Sequence, residues 1–124
     1  MVSMLRKILV VDDEEAVRLV TVEMLNRMGF RASAANGGGE ALERVVGEAF
    51  DLVLLDVAMP VMSGADTFAA LRQILPDLPV LFMTGYAKDD INQLLNKQDI
   101  TDVLPKPFPM AELKQAVERM LLAA

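Results

Sequence analysis

The chain has 124 residues, enough for one domain with a substantial core but too few for two. It contains no cysteine and no histidine, which excludes disulfides, thiol catalysis, histidine-based triads and most zinc sites. A net charge of −6 and an aromatic content of 5% argue against direct nucleic-acid binding. The sequence has neither a membrane-length apolar run nor a signal-peptide pattern, so we expect a cytoplasmic protein that does not bind membranes.

The first half of the chain alternates apolar runs with segments of helical period. The run Lys7–Val11 predicts a buried strand that ends at two aspartates. A helix is predicted from Glu14, with Gly29 as its stop. Its predicted apolar side consists of Val17, Val20, Met24, Leu25 and Met28. A weak strand over residues 30–35, a glycine-rich turn at 36–39 and a helix over 40–46 follow.

The second half repeats this alternation. Four apolar residues at 52–55 precede Asp56, and Pro60 comes four residues later, which predicts a buried strand that stops abruptly. A helix is predicted over 65–75. Its predicted apolar face consists of Phe68, Leu71, Ile74 and Leu75. The remaining elements are strands at 80–83 and 102–105, a helix from residue 89 or 90 to 97, and a last helix over 110–122.

Five strands alternating with five helices predict an α/β fold, because each parallel crossover uses a helix and is right-handed. We expect a doubly wound (βα)5 domain of the flavodoxin-like class, with a five-stranded parallel sheet in the order 2-1-3-4-5. In that order the switch point of the sheet lies between the first and third strands, where such sheets bind their ligands.

Charged and hydroxyl residues follow four of the five predicted strands. They are Asp12 and Asp13, Asp56, Thr84 and Lys106. Parallel strands bring these residues to one edge of the sheet. Three carboxylates stay ionised together only beside positive charge, and an all-oxygen ligand set suits Mg²⁺. The lysine and the threonine hydroxyl add an anion site, so the pattern predicts phosphoryl transfer to an aspartate.

These residues lie in segments that together resemble the receiver domain of two-component response regulators, over residues 5–122. The segments are Val10-Val11-Asp12-Asp13, Leu54-Leu55-Asp56 with Met59-Pro60, Met83-Thr84-Gly85 and Lys106-Pro107-Phe108. The run at 82–86 is similar to receivers attached to hybrid sensor kinases. We expect residues 1–4 to be disordered or foreign to the domain, and no output domain to follow it.

The resemblance implies a role for each residue of the metal site. Asp13 and Asp56 would bind Mg²⁺ directly, Asp12 would act mainly through water, and the backbone carbonyl of Ala58 would complete the protein ligands. The resemblance thus implies Mg²⁺ as the cofactor of this domain.

It also implies how the phosphoryl group is received. Asp56 would accept it from a phosphohistidine on a histidine kinase or a histidine phosphotransfer protein. Thr84 would hydrogen-bond its oxygens, and Lys106 would pair with it, followed by a cis bond to Pro107. The domain would then catalyse only its own phosphorylation and dephosphorylation, and would be a signalling switch whose phosphorylation changes partner binding. We separately predict a weak homodimer.

The sequence departs from the family at the switch region. Many receivers have an aromatic residue three positions before the lysine, and this chain has Val103 there. Valine is stiff and too small to make the same inward swing. Tyr86, two residues after Thr84, either gates the phosphate or covers apolar surface.

Three alternatives remain. A degenerate receiver would be a phosphorylation-independent interaction module, which the complete residue set argues against. A flavodoxin-like small-ligand binder would have a loop rich in serine, threonine or glycine after the first strand, and a haloacid-dehalogenase-like phosphatase would have Asp-x-Asp there. This chain has Asp12-Asp13 at that position instead.

Leu19 and Val22 lie off the main apolar side of the first helix. They are either half-covered surface or a contact for the partner's helices.

Overall fold

The computed structural model describes residues 5–85 and 101–123. Five parallel strands form one sheet in the order β2-β1-β3-β4-β5, which confirms the predicted order. The strands are β1 (Lys7–Val11), β2 (Arg31–Ala35), β3 (Leu52–Asp56), β4 (Val80–Thr84) and β5 (Thr101–Pro105). The switch point of the sheet lies between β1 and β3, which pair directly, so Asp12, just after β1, and Asp56, at the end of β3, lie at the same ends of neighbouring strands.

Helices cover both faces of the sheet. They are α1 (Glu15–Arg27), α2 (Gly38–Gly47), α3 (Gly64–Ile74) and α4 (Met110–Ala123). Residues of α2 and α3 pack with Val53, Leu55 and Phe82 on one face, and residues of α1 and α4 pack with Leu52 and Leu54 on the other. The predicted helix near residues 89–97 lies outside the described residues.

Burial on both faces explains the unbroken apolar runs in the sequence. Every position of β3 and of β4 is buried, since each strand lies inside the sheet under two helical layers. The edge strand β2 is only half covered, which fits its small residues. The limits of the described helices lie within two residues of the predicted ones, which is a usual difference for helix ends.

Two predicted apolar faces are partly wrong. Val20 of α1 has an exposed fraction of 55%, whereas Thr21 and Leu25 of the same helix are buried. Ile74 of α3 is 44% exposed, because it lies at the last residue of the helix, beyond the sheet contact. Helical spacing predicts which apolar residues share one side of a helix. The elements packed against the helix decide which of two adjacent rows of residues is buried.

The second helix begins two residues earlier than predicted, inside the glycine run. A Cβ atom on Gly38 would clash with the Thr67 hydroxyl oxygen and would lie 2.7 Å from the Met62 sulfur. The glycine run therefore permits close contact between α2 and the start of α3. None of the described helices has both the length and the hydropathy of a membrane span.

Candidate functional site

The carboxyl edge of the sheet holds the residues that the sequence predicts to act together. Asp12 follows β1, Asp56 ends β3, and Thr84 ends β4. Lys106 follows β5, and its backbone N–H donates to the Thr84 carbonyl oxygen at 2.6 Å. The parallel register thus brings four separate segments of the chain to one site.

Three carboxylates form a close cluster at this edge. Ligand oxygens of Asp12, Asp13 and Asp56 lie within 4.8 Å of one another. Asp12 has an exposed fraction of 0% and Asp56 of 3%, whereas Asp13 is exposed. The Lys106 ammonium lies 2.8 Å from Asp12 Oδ2 and 3.2 Å from Asp56 Oδ1. One lysine therefore faces both buried acids.

The shared burial changes the protonation of these groups. Burial raises the pKa of Asp56 to about 6, and the negative charge of Asp12 adds to that rise. The Lys106 ammonium and the Ala58 backbone N–H, which donates to the Asp56 carboxylate, oppose it. Burial lowers the pKa of Lys106, but the hydrogen bond to Asp12 and the charges of Asp56 and Asp12 outweigh burial and raise it. Lys106 is therefore a permanent cation beside an aspartate that ionises near neutral pH.

Asp12 is held through four of its polar atoms. Its N–H donates to the Ala35 carbonyl at 3.3 Å, and its Oδ1 accepts from the Glu14 N–H at 2.9 Å. Its Oδ2 accepts from Lys106, and its carbonyl oxygen accepts from Arg18 Nη1 at 2.7 Å. Sequence reasoning missed Arg18. The signal was a lone basic residue in the acidic first part of the helix that follows two site aspartates.

The loop from β3 to α3 passes under the cluster. Gly64 donates its N–H to the Val57 carbonyl at 3.0 Å, and a Cβ on Gly64 would lie 2.5 Å from the Asp56 backbone oxygen. Only glycine fits this approach without moving the backbone of the central aspartate. Val61, at the tip of the loop, has a φ angle of 66° and a fully exposed side chain. A β-branched residue in the left-handed region is strained.

Comparisons with known proteins agree with this geometry. The sequence profile of the response regulator receiver domain matches residues 8–118. The chain belongs to this family. It is similar to the response regulator receiver protein CpdR of Brucella abortus, with 33% identity over 97% of this chain and 100% of that protein.

Two further relatives place this receiver domain in context. The sensor kinase CckA of Brucella abortus is 38% identical over 92% of this chain, which spans 12% of that kinase. The structure of the response regulator protein TrrA of Thermotoga maritima, in complex with Mg²⁺-BeF, has a TM-score of 0.82 and 30% identity over 94% of this chain and 99% of that one.

The oxygen ligands of the receiver's acidic cluster fit a hard divalent cation. Three carboxylates within 4.8 Å give an all-oxygen set with excess negative charge, and the exposed Asp13 leaves one side open to water. Ala58 is exposed and turns its N–H toward Asp56, so a metal contact through its carbonyl stays a prediction.

The predicted switch residues divide between buried and undescribed positions. Thr84 is 1% exposed, and Val103 is 4% exposed, opposite Phe82 in the register of β4 and β5. The Lys106–Pro107 peptide bond is cis. Tyr86 lies outside the described residues. Leu19 and Val22 of α1, predicted to lie off the main apolar side of the helix, differ. Leu19 is 58% exposed, whereas Val22 is half-buried against the core.

Proposed function

We propose that this receiver domain is a phosphoacceptor switch in a two-component phosphorelay, with Asp56 as the residue that accepts the phosphoryl group. The observation that supports this most directly is the position of Asp56. It is buried at the switch point of the sheet, beside two further carboxylates and a lysine. The proposal covers the domain from residue 5 to residue 122.

The chemistry follows from that environment. A carboxylate oxygen of Asp56 attacks phosphorus, the P–N bond of a partner phosphohistidine breaks, and the imidazole leaves. Lys106, 3.2 Å from Asp56 Oδ1, is in position to contact the transferred oxygens as they gain charge. Thr84, at the end of the neighbouring strand, supplies a hydroxyl on the same edge. Hydrolysis of the acyl phosphate by water then resets the switch.

Asp12, Asp13 and Asp56 are the residues that would hold Mg²⁺. Bound there, the ion would neutralise charge on the phosphoryl oxygens. Lys106 pairs with Asp12 Oδ2 and Asp56 Oδ1, so it would neutralise charge beside these two acids while they also held the ion. The exposed Asp13 would contribute the ligand nearest solvent.

A groove beside the site supports docking of a histidine kinase or a histidine phosphotransfer protein. It has a volume of about 330 Å³ between Val17, Val20 and Met24 of α1 and the Lys106-Pro107-Phe108 loop. Since Lys106 lines the groove and also pairs with Asp56, a helix docked there through an apolar face would bring a histidine close to Asp56. Exposed Leu19, on the same helix, would extend that contact. Weak self-association and the lack of direct nucleic-acid binding stay predictions.

Mass spectrometry after incubation with Mg²⁺ and acetyl phosphate tests the proposal. Wild type should gain one phosphoryl mass, and Asp56→Asn should gain none. Asp66→Asn is the matched control, because Asp66 is an exposed carboxylate on α3, and it should behave like wild type. The same three proteins should bind beryllium fluoride in the same pattern. A wild type that neither gains mass nor binds the analogue would refute the phosphoacceptor role.

Modification elsewhere would refute it as well. If Asp56→Asn gains the same mass as wild type, another residue is the acceptor. A flavodoxin-like ligand binder is not favoured, because Asp12 and Asp13 occupy the loop where such a protein would have small or hydroxyl residues.

A further inference from the structure

Arg18 reaches back from α1 to the turn that bears the acidic cluster. Its Nη1 donates to the Asp12 carbonyl oxygen at 2.7 Å, across six positions of sequence. The Arg18 backbone N–H donates to the Glu14 carbonyl at 3.0 Å, so the first turn of α1 fixes the backbone position from which the side chain extends. The side chain is half-buried against the edge of the sheet that holds the site.

The carbonyl that Arg18 holds belongs to the peptide unit between Asp12 and Asp13. This unit is planar, so the direction of its C=O also fixes the plane of the Asp13 N–H and the starting direction of residue 13. The hydrogen bond from Arg18 therefore affects the orientation of Asp13 more than that of Asp12, whose side chain already has two partners, the Glu14 N–H and Lys106.

Asp13 depends on its backbone for orientation. Its side chain is exposed, and within residues 5–85 and 101–123 no hydrogen bond or ion pair holds its carboxylate. Asp12 is buried and tied at both carboxylate oxygens. The two adjacent aspartates thus differ in what positions them: side-chain contacts for Asp12, and the preceding peptide plane for Asp13.

We propose that Arg18 is a positioning residue for divalent-cation binding, acting through the Asp12–Asp13 peptide to orient the Asp13 carboxylate. The proposal rests on the proposed function. Arg18 does not contact the reacting atoms. An arginine suits the task, because its guanidinium is planar and always charged and loses less freedom per hydrogen bond than a flexible lysine. Removing a group that orients a metal ligand typically costs about 10–100-fold in metal affinity.

Isothermal titration with Mg²⁺ on the full chain tests this, with thermal unfolding in chelator as the measure of stability. Arg18→Gln should raise the Mg²⁺ dissociation constant about tenfold or more, and Arg18→Lys should raise it about threefold. Arg27→Gln is the matched control, because Arg27 lies exposed on the same helix and pairs with Glu23, at 2.9 Å. It should change the affinity by less than about twofold.

A second measurement separates positioning from a purely structural tie between β1 and α1. The rate of phosphorylation by acetyl phosphate is measured against Mg²⁺ concentration. Arg18→Gln should raise the Mg²⁺ concentration for half-maximal rate about tenfold, and the saturating rate should stay within about threefold of wild type. In an Asp13→Asn background, Arg18→Gln should change that concentration by less than about twofold, because its effect passes through Asp13.

Three results would overturn the role of Arg18. They are a Mg²⁺ affinity of Arg18→Gln equal to that of Arg27→Gln, a defect confined to the saturating rate, and a full defect that persists beside Asp13→Asn. If Arg18→Gln fails to fold, Arg18→Lys decides, and wild-type Mg²⁺ affinity in that variant contradicts the proposal. A wild type that binds no Mg²⁺ and takes up no phosphoryl group would refute the proposed function instead, so the two failures are distinguishable.

Discussion

The amino edge and the carboxyl edge of the sheet use the same kinds of charged residue but pair them differently. At the amino edge, Glu48 lies 2.8 Å from the Lys7 ammonium and 3.5 Å from Arg44. Asp51 accepts from the Lys7 backbone N–H at 2.7 Å and lies 3.7 Å from Arg6. Each acid there has basic partners, and the ion pairs are partly exposed to solvent.

The carboxyl edge has the opposite balance. Of the three clustered carboxylates, Asp12 and Asp56 both pair with Lys106, and both are buried. The pKa values respond in opposite directions: the hydrogen bond from Lys7 lowers the pKa of Glu48, whereas burial raises that of Asp56 to about 6. Paired acids at the amino edge join structural elements, and the crowded acids at the carboxyl edge create a site that favours binding of a cation.

The largest expected difference between the edges is steric. Gly64→Ala should lower the free energy of unfolding by about 2–3 kcal/mol, because the new Cβ meets the Asp56 backbone oxygen at 2.5 Å. It should also weaken Mg²⁺ binding. Gly47→Ala at the amino edge meets nothing within 4 Å, and should be neutral or stabilising by up to about 1 kcal/mol. Urea unfolding of both variants checks this, and equal losses would contradict the difference.

The charge difference predicts opposite pH dependences. The pKa of Asp56 is raised from 3.8 to about 6 in the folded state, so its contribution to stability is present below its ordinary pKa and lost as pH rises through 6. Asp56→Asn avoids that loss. Without Mg²⁺, it should exceed wild type by about 1–2 kcal/mol at pH 7–8, after discounting for solvent screening, and the gap should close below pH 4.

Glu48→Gln is the control at the other edge. The pKa of Glu48 is lowered in the folded state, so its stabilising contribution is present at neutral pH and lost as pH falls. The variant should therefore be less stable than wild type at pH 7, and the gap should close in acid. Urea unfolding between pH 4 and pH 8 measures both variants. If both variants differed from wild type in the same direction in their free energy of unfolding at neutral pH, the predicted contrast between the edges would be wrong.

The smallest predicted effect concerns backbone strain near the site. Val61→Asn should stabilise the fold by about 0.5–1 kcal/mol, because asparagine tolerates the φ of 66° better than a β-branched residue, and the side chain is fully exposed. Val46→Asn, at an exposed helical position of α2, should change the stability by less than about 0.5 kcal/mol. A thermal shift comparison of the two variants is sufficient, and equal melting temperatures would exclude strain at Val61.

The sequence alone determined the fold and the membership of the site. Unbroken apolar runs that end in Asp12, Asp56, Thr84 and Lys106 predict parallel strands, and parallel strands deliver their ends to one edge. Periodicity, turn residues and strand ends are local properties, so they can be read without coordinates. The family resemblance added roles for these residues that stay proposals.

Only the tertiary structure decided how each residue is surrounded. Two adjacent aspartates differ, with Asp12 buried and Asp13 exposed. The Glu14 N–H and the Lys106 ammonium hold the Asp12 carboxylate, whereas the Asp13 carboxylate faces solvent. The tertiary structure also decided that Val20 is exposed. It brought Arg18 to the Asp12 carbonyl and the Asp56 backbone close to Gly64, in each case by folding the chain back on itself. Contacts of that kind depend on packing geometry, which no local pattern encodes.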